Sequence, residues 1–187
     1  MSKVVVSEFV TADGVFEDPG GADGFEHGGW AFKFNRGPEG DKFKYDELMA
    51  AGALLLGRIT YEGFAAAWPG REAGEFGEKF NSMPKYVVSS TLERADWTNS
   101  TVIDGDMETR VTALKSEVEG DILVNGSGQL VRGLAELGLV DEYRLMVFPV
   151  ALGRGKRLFD GLASAVSLRL ADAHPGGETM IFTYVPR

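Results

Sequence analysis

Residues 125–129 read Asn-Gly-Ser-Gly-Gln, after the short apolar run Ile122 to Val124 and ahead of a helical pattern that runs to about Leu137. Glycines let a ligand approach the main chain closely, and a helix start offers unpaired N–H groups and a partial positive charge. Those are the needs of a phosphate seat, although the same glycines would also serve turn geometry alone. Two other segments have a similar setting. Gly57-Arg58 follows the apolar run Ala53 to Leu56, and Ser89-Ser90 follows Lys85 to Val88. An arginine fork and serine hydroxyls suit phosphate oxygens. Trp30, with Phe32 and Phe34 after a glycine-rich stretch, could stack on a flat heterocycle or pack in a core. His27 and His174 are the only histidines and there is no cysteine. A histidine metal cluster, a thiolate site and a disulfide framework are therefore not expected. No G-x-S-x-G elbow supports a serine triad.

The elements that must hold these residues alternate. Residues 3–10 are β-branched and apolar, a buried strand, and Thr11 to Gly29 is a long Gly- and Asp-rich loop of the functional or disordered kind. A helix is expected over 41–52, with Asp41, Tyr45, Leu48 and Gly52 on one face, although Asp41 also fits a helix cap. Strand 53–56, a helix from Gly57 to Trp68, a helical segment near 72–80 and strand 85–90 follow. Then come strand 101–103, helix 107–119, strand 121–125, the helix after the Gly126 loop, strand 141–150 and a hairpin of 168–173 with 179–185. Short apolar strands alternating with amphipathic helices imply a mostly parallel sheet covered on both faces, made mixed by its antiparallel end. In such sheets ligands sit at the C-terminal strand ends, where all three polar segments fall.

At 187 residues one domain, 1–187, is expected. A net charge of −9 argues against a nucleic-acid partner, yet local cations can still bind a small anionic ligand. No run approaches the ~20 apolar residues of a membrane span, and the N-terminus lacks a signal-peptide pattern. With no cysteine, a cytoplasmic location is the expectation. The Rossmann G-x-G-x-x-G and the Walker A pattern are both missing from their required places.

Five segments occur in register: Thr11-Ala12-Asp13-Gly14, LLLGRITYEGF at 54–64, KYVVSSTL at 85–92, ILVNGSGQLVRGL at 122–134 and GLVDEYRLMVFPVALGRGKRLF at 138–159. Together they resemble the dihydrofolate reductase-like superfamily, in the branch of the C-terminal reductase domain of the riboflavin biosynthesis protein RibD. The resemblance implies a three-layer α/β/α fold with a central mixed, mostly parallel sheet of about eight strands. It implies NADPH as hydride donor, a small heterocyclic substrate (pterin- or pyrimidine-like, or a riboflavin precursor) and a homodimer as an open expectation.

Carried onto this sequence, Gly126, Ser127, Gly128 and Gln129 cradle the diphosphate. Gly57, Arg58 and Thr60 face the cofactor phosphates, Ser89 and Ser90 meet the adenosine 2′-phosphate, and Val10, Thr11, Gly14 and Val15 border the nicotinamide. Asp41 becomes the candidate catalytic acid, with Trp30 and Tyr45 in the substrate pocket, and Asp13 orients substrate or simply makes a turn. The chain departs from riboflavin-pathway reductases in carrying Gly57-Arg58-Ile59-Thr60, closer to the dihydrofolate reductases, and in lacking the zinc deaminase signature. A dinucleotide-binding module or sensor without turnover is the alternative reading.

Overall fold

A computed structural model describes residues 1–187. The strands are β1 (Val4–Thr11), β2 (Ala51–Gly57), β3 (Lys85–Val88), β4 (Ser100–Ile103), β5 (Asp121–Val124), β6 (Glu142–Phe148), β7 (Leu168–Gly176) and β8 (Thr179–Pro186). The helices are α1 (Gly37–Ala50), α2 (Arg58–Ala67), α3 (Gly74–Ser82), α4 (Met107–Glu117) and α5 (Gly128–Glu136), with a 3-10 turn at Trp30–Lys33. All eight strands form one sheet in the order β4-β3-β2-β5-β1-β6-β8-β7. The pairings from β4 to β6 are parallel, and β8 and β7 add antiparallel strands at one edge. The expected mixed, mostly parallel sheet is therefore present.

Alternation along the strands divides the core. Val4 and Val6 join Ile122 and Val124 under Val111 and Leu114 of α4 and Val131 and Leu134 of α5. Val5, Leu54 and Leu56 face the other way, under Leu48 of α1, Tyr61 of α2 and Phe80 of α3. A third cluster holds Trp30, Met146, Phe148 and Ile181. No helix is long and apolar enough to cross a membrane.

Two boundaries differ from the sequence reading for a physical reason. The helix expected over 41–52 starts four residues earlier, so Asp41 lies inside it and Arg36 holds the cap position. It also ends earlier, because Gly52 belongs to β2. There the register slips between Ala51 and Ala53, and a Cβ on Gly52 would stand 1.9 Å from the Glu119 carbonyl oxygen. That glycine serves a strand bulge against the Gly120 turn, and helical spacing alone could not reveal it.

The sheet contains a notch. β5 stops at Val124, opposite Val6, while β1 continues beside β6 to Thr11 and β2 continues beside β3 to Gly57. Beyond Val124, no strand bridges β1 and β2. The Asn125–Ser127 loop closes the base of the gap, and Asn125 Nδ2 donates to the Ser7 carbonyl at 2.8 Å.

Candidate functional site

The notch brings the Gly57 and Gly126 segments together at the ends of the adjacent strands β2 and β5, with Ser89 one strand further along. Gly57 N–H donates to the Gly126 carbonyl at 3.3 Å. A Cβ on Gly57 would stand 2.3 Å from Ser127 Oγ, and one on Gly128 would stand 2.3 Å from the Phe16 ring. Gly126 has a φ of 92° and a cis bond to Ser127. These glycines allow close approach of one backbone segment to another, and they bring the starts of α2 and α5 side by side. Neither helix has a side-chain cap, so the first-turn amides of both remain free for a ligand.

Arg58 lies at the rim and makes a two-pronged contact with Glu62 at 2.9 and 3.1 Å. Exposed pairs of this kind contribute ~1 kcal/mol or less, so a phosphate can compete for the guanidinium. The Thr60 hydroxyl lies 2.8 Å from where a Gly126 side chain would begin. Ser89 Oγ accepts the N–H groups of Thr91 and Leu92 at 3.1 and 2.9 Å, which fixes the turn after β3, while Ser90 is exposed beside it. Gln129 is exposed in the first turn of α5.

On the other side of the sheet, Phe9, Ala31, Phe32, Phe34, Asn35, Arg36 and Asp41 line a cavity of about 190 Å³. Two cations sit over the Phe9 ring, Arg36 Cζ and Lys44 Nζ, each 5.5 Å from its centroid. Asp41 is 64% exposed and is paired with Arg36 at 2.7 Å. Behind Phe9 lies a buried polar network. Ser7 Oγ donates to Glu47 Oε2 at 2.9 Å and accepts from Lys44 Nζ at 2.8 Å. Lys44 also pairs with Glu47, whose side chain is 2% exposed. Arg144 reaches Glu47 at 3.5 Å and binds Glu142 and Asp121 at 2.6 and 3.2 Å. On the opposite face of β1, the carboxyl of Glu8 is pushed up to about 8, chiefly by burial. Lys44 and the Gly126 backbone oppose that rise and Glu47 adds to it.

Several sequence expectations need correction. Trp30 does not line the cavity: it is 1% exposed, packs edge-on to Phe148 at 5.3 Å and donates Nε1–H to the Glu17 carbonyl. Tyr45 turns from the pocket toward α3, where its hydroxyl meets Glu75 at 2.5 Å. Asp13 is tied into the protein through both carboxyl oxygens. Oδ1 accepts from Thr11 Oγ1 (2.6 Å) and Leu152 N–H (3.2 Å), and Oδ2 accepts from Gly153 N–H (2.8 Å). The Thr11 hydroxyl and those two amides hold its carboxyl below the usual range, which suits a loop staple and not a proton donor. The side chains of Val10, Thr11 and Val15 are buried, whereas Gly14 has open space about it. The residues missed by the sequence reading are Ser7, Glu8, Arg36, Lys44 and Glu47. Their one signal was the Ser7-Glu8 pair interrupting the apolar strand VVVSEFV.

This geometry has relatives. A structure of a Shewanella sp. PV-4 protein assigned to riboflavin biosynthesis superposes with a TM-score of 0.79 at 19% identity, covering 100% of this chain and 99% of that one. Dihydrofolate reductase from Enterococcus faecalis, solved with NADP(H), superposes with a TM-score of 0.59 at 15% identity, covering 99% and 96%. The uncharacterized protein YyaP of Bacillus subtilis (strain 168) is 30% identical over 131 residues, 68% of this chain and 69% of that protein. These superpositions show a shared fold, and with the RibD C-terminal domain model matching residues 2–182, the chain belongs to that family.

Proposed function

We propose that the chain is an NADPH-dependent reductase acting on a small, flat heterocycle. The observation that carries this reading is the triple-glycine cradle. Gly57, Gly126 and Gly128 stand where a Cβ would meet Ser127, Thr60 or Phe16 at 2.3–2.8 Å, and two uncapped helix starts lie side by side there. The main-chain amides of Ser127, Gly128 and Gln129 suit the diphosphate. Arg58, freed from Glu62, and Ser89 with Ser90 suit a 2′-phosphate, while Thr60 and Gly14 flank the path of the dinucleotide. The cofactor supplies the hydride. The chain's own groups orient it and exclude water.

The cavity over Phe9 is the substrate site in this reading. Its aromatic floor takes a planar ring, and Arg36 and Lys44 favour a substrate bearing carbonyl or anionic groups. Asp41 stands at the rim as the candidate acid. Its exposure and its pairing with Arg36 also favour the second reading, a dinucleotide-binding module without turnover.

Titration with NADPH and NADH tests both readings, following energy transfer from Trp30, Trp68 and Trp97 to the reduced nicotinamide. NADPH is expected to bind at least ~10-fold more tightly than NADH, a difference of ~1.4 kcal/mol, and Arg58→Ala to erase most of that preference. Equal affinity for the two in the parent protein removes the 2′-phosphate assignment, and no binding of either withdraws the reading.

A further inference from the structure

The antiparallel end of the sheet has one face without charge. Alternation sends Met180, Phe182 and Tyr184 of β8 to that face, and the register sets Pro175, Ala173 and Leu170 of β7 beside them. On the β6 side, Val147 and Leu145 continue the row. The polar residues of β7, Arg169, Asp172 and His174, pair with Val185, Thr183 and Ile181 and so point the other way. There α1 packs on them, with Phe43 5.6 Å from the His174 ring. On the apolar side, α4 and α5 cover the sheet at β1 and β5 and leave β7 and β8 bare. Leu170 is 51% and Met180 38% exposed, and Ala173 and Pro175 are exposed as well. Phe182 is half-buried, stacks on Tyr184 at 6.0 Å and belongs to none of the three core clusters. A sheet face of this composition is ordinarily buried against another layer, and here the chain supplies none.

Charge and shape indicate what covers it. The chain carries a net charge of −9, which disfavours an anionic membrane surface and sets copies of the chain against one another wherever their charged faces meet. An uncharged face lets two copies approach without that cost. Met180, Phe182 and Tyr184 form a ridge along β8, and Ala173 and Pro175 form a low strip beside it on β7. A two-fold axis lays the ridge of each copy on the low strip of the other, a self-complementary fit. The patch is roughly 20 Å long and 15 Å wide from strand rise and spacing, enough for the apolar centre of an interface that buries ~800 Å² per partner. Pairing through the β7 edge is disfavoured, because a bulge between Leu170 and Asp172 and the missing N–H of Pro175 interrupt that edge.

We propose that the bare β7–β8 face is the docking surface for a second copy of this chain, packed sheet on sheet about a two-fold axis. The proposal stands independently of the NADPH reading, yet it touches the cavity over Phe9. The turn of the same hairpin holds Asn35 at both ends: Glu178 Oε2 accepts the Asn35 N–H at 2.7 Å, and Glu178 N–H donates to the Asn35 carbonyl at 2.7 Å. Asn35 and Arg36 line that cavity. Ile181, on the back of β8, packs in one cluster with Trp30 and Phe148. The strands that carry the docking face therefore also hold a wall of the cavity, and the second copy braces them from behind.

Sedimentation velocity tests this. At ~10 μM, the weak end for interfaces of standard size, the parent should sediment at twice the 20.2 kDa of one chain. Leu170→Glu and Met180→Glu put a carboxylate on the apolar face at positions that a single chain leaves open to water. Each should weaken the dimer ~100-fold or more, because the charge is buried without a partner, and should sediment as a monomer. Arg169→Glu, on the opposite face of the same strand, should remain dimeric. Circular dichroism melts of all three check that the fold is kept. A parent that stays at 20.2 kDa overturns the proposal and leaves the face to a different protein. A dimer that survives both apolar-face substitutions, or that Arg169→Glu dissociates equally well, overturns it too, because another surface then holds the copies together. If neither apolar-face variant folds, peroxide oxidation of the parent dimer decides the matter. Met180 should resist while the fully exposed Met1 reacts, and Met180 oxidising as fast as Met1 refutes the assignment.

Discussion

Glu8 on β1 and Glu47 on α1 show how surroundings set the fate of a carboxyl. Glu47 is almost fully buried but has Lys44, Ser7 and Arg144 around it. Glu8 has no hydrogen bond to Oε1, and burial pushes its carboxyl up from 4.5 to about 8. The folded state thus keeps a proton that the unfolded chain has lost anywhere between those two values. Stability must then fall as pH rises through that window and level off above about 8, by up to ~1.4 kcal/mol per pH unit. Glu8→Gln removes this dependence. Thermal melts at pH 5 and pH 8 should show the variant gaining on the parent as pH rises, with no cofactor present. An unchanged difference between the two proteins at both pH values would mean that Glu8 is ionised in the folded protein.

At the scale of elements, the stretch leaving β1 is tied down by side chains and not by a regular strand or helix. Asp13 joins it to the Leu152–Gly153 amides, Arg157 Nε donates to the Asp13 carbonyl at 3.0 Å, and Lys156 pairs with Glu17 at 2.8 Å. The basic cluster at 154–157 therefore clamps two loops. Asp13 is held below its ordinary value, so its contribution is present above 3.8 and is lost as pH falls through the folded-state value. Asp13→Asn should lower the midpoint of unfolding at pH 7, at a cost of roughly 1–3 kcal/mol, and match the parent in strong acid. Circular dichroism melts across pH 2–7 check this. A deficit that persists unchanged at pH 2 would point to lost shape and not lost charge.

At the scale of the molecule, we expect the two faces of the sheet to unfold together as one domain, because every strand pairs into the same sheet. Two distant substitutions test it. Leu134→Ala opens a cavity under α5 and should cost ~2–5 kcal/mol. Lys85 is fully buried on the far wing, donates to the Asn81, Met83 and Thr98 carbonyls at 2.7–3.0 Å and lies 4.2 Å over the Trp97 ring. Lys85→Met strands those carbonyls and should cost roughly 3 kcal/mol. Both variants should shift one shared calorimetric transition. A second transition in either would divide the chain into independent units.

Most of the architecture was legible in the residues. Apolar runs such as VVV and ALLL, separated by amphipathic stretches, dictate alternating strands and helices, because each face must be buried against another layer. The Gly57 and Gly126 segments were also legible, since glycines at strand ends report local backbone needs. The strand order was not, and it is what makes the site. Only pairing β5 between β1 and β2, and ending it at Val124, opens a notch, sets Gly57 against Ser127 and leaves Glu8 facing Gly126. Nor could the sequence divide the candidate residues between work and packing. Trp30, Tyr45 and Asp13 have the right chemistry, yet Phe148, Glu75 and the Gly153 amide claim them. Local pattern is governed by neighbours along the chain. Whether a polar group meets a ligand or a neighbouring side chain is decided by residues distant in the chain, 30 positions for Tyr45 and Glu75 and 140 for Asp13 and Gly153, and only the tertiary fold brings them together.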